Sequence, residues 1–287
     1  MITKILFLAF ALLFSSTLPL LAATSGVKIV PVSFDLTGLP GQKIENVIKV
    51  SNPTDREIGV TSEIEDFAPL GEDGGITLQD GYKYGLSPFI SIFPKSFSLK
   101  PGELQFVSLT INLPADVPGG ARSGAVLFGS AAGIAEGSGS VVSGQVGVLV
   151  TLNILSDLKD QGKLASLDGP IVTSSGPTHI SARIQNTGST LSKFSGEISI
   201  FNILGTKVSS SVVGPNNILP EATRRFKAEW QEKYPVGLYR VELTGQFGQE
   251  KISGTTYFVG ASPQYLGPAI FLTLLIGAAA IKRKKNS

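Results

Sequence analysis

Between Glu57 and Tyr82 the chain holds seven carboxylates and no Lys or Arg. The middle of this run, DFAPLGEDGGITLQDGYKYG, brings Asp66, Glu72, Asp73 and Asp80 together with glycines and the pair Tyr82/Tyr84. Carboxylates beside exposed aromatic rings are suited to gripping a glycan or a peptide. A calcium site would need 6–8 oxygens at set spacing, and no such pattern occurs. The stretch is too long for a hairpin turn, and loops of that length are usually functional or disordered. Its readings are a solvated loop, a contact surface for an envelope ligand, or a calcium loop. The second concentration of charge is Arg224, Arg225 and Lys227, in TRRFK. It reads either as a solvated sheet face or as a docking face for an acidic partner or an anionic wall polymer.

Other chemistry is bounded by composition. There is no Cys and a single His, His179, so a thiol nucleophile and multi-ligand Cys or His metal sites are excluded. No glycine-rich phosphate loop precedes a helix, and GSGS at 137–140 reads as a hairpin tip. No cofactor is expected, and the chain reads as non-enzymatic.

The elements that must position these residues are strands. Of 287 residues 42% are hydrophobic, and 33 Gly and 17 Pro punctuate them into short alternating runs. ELQFVSLTINLP sets Val107, Leu109, Ile111 and Leu113 on one face, and QVGVLVTLNIL alternates from Val146 to Ile154. The pattern predicts an all-β chain of two tandem immunoglobulin-like β-sandwiches, over residues 26–156 and 163–261. The second repeats the first: THISARIQNTG answers NVIKVSNPTD, and ILPEATRRFKAEW answers LKPGELQFVSLTI. The polar stretch SDLKDQGKLASLDG between them reads as a linker with hinge motion.

Both ends read as targeting segments. Residues 1–23 have the apolar core and small-residue close of a signal peptide. Residues 265–281 read as one transmembrane helix, followed by a basic cytoplasmic tail, 282–287. Without Lys4 and the four basic tail residues the net charge of +2 becomes −3, so no nucleic-acid partner is expected. The predicted topology is a single-pass cell-membrane protein with both sandwiches extracellular.

The opening VPVSFDLTGLPGQKIENVIKVSNPTDREIGV, the stretch FSLKPGELQFVSLTINLP with PGGARSGAVLF, and the later THISARIQNTGSTLSKFSGEISIFN, VGPNNIL and PVGLYRVEL resemble the bacterial WxL-interacting proteins. That resemblance implies an anchored surface scaffold whose first domain contacts peptidoglycan and whose second engages WxL-type surface proteins or host ligands. A second reading is a pilus-chaperone-like assembly factor acting by edge-strand complementation, with Gln145–Leu155 as the donor strand.

Overall fold

Pro31 divides the first apolar run in two, so the chain enters the fold twice. Lys28–Val30 (β1) pairs antiparallel with Lys43–Ser51 (β3), while Ser33–Gly38 (β2) lies parallel to Gly144–Ile154 (β10) in a different sheet. The computed structural model describes residues 26–132, 144–156 and 160–265. Ile58–Leu70 (β4), Gly75–Leu78 (β5), Ile90–Phe93 (β6), Ser96–Leu99 (β7), Leu104–Asn112 (β8) and Gly120–Ala132 (β9) complete the first unit. One sheet runs β1-β3-β8-β6. The other runs β2-β10-β9-β4-β5, with β7 also on β4. The inward side chains of the two sheets form one core, in which Val107, Leu109 and Ile111 of β8, with Leu113 just after it, face Val148, Val150, Leu152 and Ile154 of β10. The all-β expectation holds.

The second unit has its own core. Gly162–Asp168 (β11), Gly176–Asn186 (β13) and Thr223–Glu232 (β16) form a three-stranded sheet. Val172–Thr173 (β12), Ser192–Asn202 (β14), Lys207–Ile218 (β15), Val236–Phe247 (β17) and Glu250–Ala261 (β18) form the facing sheet, in the order β12-β18-β17-β14-β15. Trp230, Tyr239 and Phe258 stack within this core, the last two at 5.1 Å with rings 15° apart.

The repeat seen in the sequence has a physical basis. Asn52 directly follows β3, and its amide donates to the carbonyls of Arg56 (2.7 Å) and Leu99 (2.9 Å). Asn186 ends β13, and its amide donates to Thr190 O (2.7 Å) and Ile218 O (2.8 Å). Each side-chain oxygen accepts the backbone N–H two residues on, from Thr54 and Gly188. Leu99 and Ile218 each stand two residues before the proline of a turn, so one buried Asn per unit ties a strand end to that turn. Buried polar groups persist where every bond is made.

Two expectations change. The stretch SDLKDQGKLASLDG is not wholly linker: KLASLD belongs to β11, with Leu164 and Leu167 packed on the second core. The long acidic loop is mostly a hairpin, β4 pairing with β5 from Phe67↔Leu78 to Leu70↔Gly75. Gly71 (φ 62°) and Gly74 (φ 86°) supply the left-handed backbone of its tip. Pro69 inside the run and the acids at its tip hid the strand.

Candidate functional site

The two clusters of charge singled out by sequence meet each other. Glu72, at the tip of the β4–β5 hairpin, accepts hydrogen bonds from Arg225 Nη2 (2.7 Å) and Nε (3.2 Å). Arg183 Nε of β13 forms an ion pair with the same Glu72 oxygen at 2.9 Å. Asp73 pairs with Lys227 Nζ at 3.1 Å, and Arg225 N–H donates to the Glu72 carbonyl at 2.7 Å. That last bond adds the hairpin tip to the free edge of β16. The Arg225 hydrogen bond holds the Glu72 carboxyl below its usual range against a smaller opposing effect of desolvation, and Arg183 adds to the lowering. The Lys227 hydrogen bond does the same for Asp73.

A second clasp is built on the turn that follows Ile218. In the first unit the equivalent turn is Lys100-Pro101-Gly102-Glu103, with Gly102 at φ 73° and Glu103 N–H donating to Lys100 O at 3.0 Å. In the second unit Ala222 N–H closes the turn onto Leu219 O at 3.1 Å, and the residue in Gly102's place is Glu221, at φ 63°. A non-glycine residue in that region stores strain that surrounding contacts must offset. Here Lys83 Nζ and Tyr84 Oη of the first unit both donate to the Glu221 carboxylate. The hydrogen bond from Lys83 lowers the Glu221 carboxyl, with Tyr84 adding to it.

Between the clasps sits an apolar plug. Leu219 packs against Phe67, Ala125, Leu127 and Leu149, on the outer face of the β10-β9-β4 sheet. That face is therefore covered too, which explains why GAVLF in β9 is apolar at consecutive positions. This non-alternating run was the sequence signal for the junction. Asn153 and Leu191 exchange two hydrogen bonds across the same junction, at 3.0 and 2.8 Å. Asn217 Nδ2 donates to Asp35 at 3.1 Å. Burial alone would raise the Asp35 carboxyl, but hydrogen bonds from Thr151 and Asn217, with Lys193 nearby, leave it lowered. The hinge expectation gives way to a junction held at several independent points.

The remaining predicted residues are dispersed. Asp66 is buried and accepts the Ser87 N–H at 2.7 Å, a structural role within the first unit. Tyr82 packs edge-on against Tyr84 with centroids 5.7 Å apart. Asp80 is exposed and joins no ion pair among the described residues. Arg224 lies apart from Arg225 and Lys227 in function: its guanidinium rests on the hairpin tip where a Cβ at Gly74 would collide with it. His179 is exposed on β13, with Glu229 3.9 Å away. Among the described residues no group of three His, Cys, Asp or Glu could hold a metal.

One main-chain feature is unsatisfied. β9 flanks β10 along its whole length, from Gly144↔Ser130 to Ile154↔Gly120, but β2 flanks it only from Leu149↔Ser33 onward. Residues Gly144–Val148 therefore present a strand edge that no strand among the described residues pairs. The proposed donor Gln145–Leu155 is corrected accordingly: its second half is already paired on both sides, and Val148, Val150, Leu152 and Ile154 are in their own core.

No family model matches the sequence, and no curated protein matches it. Solved structures do. The class 5 fimbriae chaperone CfaA is 16% identical, with a TM-score of 0.43 over 82% of this chain and 100% of that one. The Escherichia coli chaperone DraB is 12% identical, with a TM-score of 0.39 over 82% and 98%. The Pseudomonas aeruginosa chaperone CupB2 is 14% identical, with a TM-score of 0.37 over 79% and 97%.

The expected cell-membrane topology and its partners are corrected. No helix among the described residues is long and apolar enough to cross a membrane, and residues 266–287 and 1–23 lie outside the described residues. The physical reason is plain at the junction: Glu72, Asp73, Tyr84, Arg225 and Lys227 bond one another's units, so they are not a free surface for a wall polymer.

Proposed function

We propose that this chain is a non-enzymatic assembly factor of two immunoglobulin-like sandwiches, exported by residues 1–23 acting as a signal peptide, that receives an extended segment of another polypeptide on a strand edge. The observation that carries this reading is the edge of β10 at Gly144–Val148, which no strand among the described residues pairs, next to a strand paired on both sides. Edge strands present unpaired N–H and C=O groups, and a partner strand added there gains main-chain hydrogen bonds without rearranging the host sheet. The clasped junction supports the same reading, because it keeps the second unit at a set position against the sheet that contains this edge. The partner is a polypeptide segment alternating apolar and polar residues, which matches the period of the sheet it joins.

The test is amide hydrogen exchange of the full chain, with and without a decapeptide alternating valine and threonine. Added peptide should slow exchange at the outward amides of Gly144–Val148. Unchanged exchange there, or protection appearing only along β15 or β3, would reject the assignment of this edge.

A further inference from the structure

Between the outer face of the β2-β10-β9-β4 sheet and the turn carrying Leu219 there is a cavity of ≈ 280 Å³. Its apolar walls include Phe67, Leu149 and Leu219, and its polar walls include Asp35, Asn217 and Arg224. A cavity of about 150 Å³ is enough for benzene, so this one admits a ring with a short polar arm.

The polar groups are unevenly satisfied. Asp35 is fully engaged: Thr151 Oγ1 donates to it at 2.6 Å, Asn217 Nδ2 at 3.1 Å, and Lys193 Nζ lies at 3.6 Å. Arg183, Arg225 and Lys227, the neighbouring cations, each have a carboxylate. Arg224 has none within 4.0 Å among the described residues. Its hydrogen bond runs from Nη1 to the Asn217 carbonyl at 3.1 Å, which leaves most of its five donors unused. It is half-buried, and a half-buried guanidinium without a counter-ion is costly to leave in place. Asn217 Oδ1 is buried on the same wall and has no hydrogen-bond partner. Asp73 feels the Arg224 charge only through space, so Arg224 faces the cavity as a cation with no carboxylate bonded to it among the described residues, beside an apolar body-sized space.

The geometry points to a small apolar carboxylate as the ligand of this cavity, its carboxylate on the Arg224 fork and its body against Phe67, Leu149 and Leu219. A planar guanidinium matches a carboxylate with two parallel bonds, which gives orientation as well as attraction. Because the cavity has one wall from each unit, such a ligand reinforces the junction. Ligand binding in this cavity is independent of strand addition at β10, and either can fail without the other.

The experiment is a titration of the full chain by ¹H–¹³C methyl spectroscopy with phenylacetate, 2-phenylacetamide and 2-phenylethylamine, which share one body and differ in charge. Phenylacetate should shift the Leu149 and Leu219 methyls and bind at least tenfold tighter than the amide, with the amine weakest. Arg224→Gln should bring phenylacetate down to the level of the amide, and Ala222→Phe, which narrows the cavity, should abolish binding of all three. Equal affinities for the three probes, tightest binding of the amine, or no methyl shift in the unsubstituted chain would each overturn the proposal. The three-probe comparison needs no variant, so it stands even where a substituted chain does not fold.

Discussion

Glu221 stands where the first unit has Gly102, and it holds a left-handed backbone angle that glycine adopts at no steric cost. Its carboxylate contacts with Lys83 and Tyr84 are the evident return for that strain. Replacing it with Ala removes the contacts and keeps the strain, while Gly removes both. Glu221→Gly should therefore melt about 2–4 °C above Glu221→Ala, the shift that about 1 kcal/mol produces when both units unfold together. An Ala variant that melts as high as the Gly variant would refute the strain argument. Asn186 makes a different kind of prediction, because its amide satisfies two buried carbonyls at once. Asn186→Ala leaves both unpaired and should lower stability by about 2–6 kcal/mol in denaturant unfolding, at about 1–3 kcal/mol for each buried group left unpaired.

At the scale of the element, β14 and β17 approach so closely that one ring lies over two glycines. Gly196 and Gly245 face each other in the ladder, and the Phe194 ring covers them. A Cβ built on Gly245 would fall 2.5 Å from Phe194 Cζ and 2.8 Å from the Ser195 carbonyl. Phe194 is fully buried and has no room to withdraw. Gly245→Ala should destabilise by about 1–3 kcal/mol, the usual range for overpacking, read as a lower denaturant midpoint at unchanged slope. Gly59→Ala is the control, since nothing lies within 4 Å of a Cβ there and its backbone angle is ordinary.

At the scale of the whole molecule, the junction decides whether two cores unfold as one. Leu219 joins them through apolar contact, and Glu72 and Asp73 through charge. Both carboxyls have folded pKa values below their ordinary ones, so their stabilising effect is complete above the unfolded value. It is lost as pH falls through the depressed value. Calorimetry should show one transition at pH 7 and two resolved transitions only at acid pH below the ordinary carboxylate range, where these depressed groups protonate. Leu219→Asp, which puts a charge among Phe67, Leu127 and Leu149, should separate the transitions even at pH 7. Two transitions at pH 7 in the unsubstituted chain would mean that the junction does not couple the units.

Alternation, turn residues and the recurrence of Asn and Pro turns were enough to establish from sequence the all-β character, the inward faces of β8 and β10 and the repeat, because these depend on local periodicity. Glu72, Asp73, Tyr84, Arg225 and Lys227 were also picked out as special by composition. What sequence could not supply was that the acidic group and the basic group are each other's partners. They lie some 150 residues apart, and only the packing of one unit's turn on the other's sheet brings them within bonding distance. The same long-range packing decided that the acidic loop is a hairpin, that GAVLF is buried on both faces, and that β10, among the described residues, is open over five residues and closed over the rest. Local patterns report which face of a strand is apolar. Which surface covers that face, and which edge stays free, is settled by contacts between residues far apart in the chain.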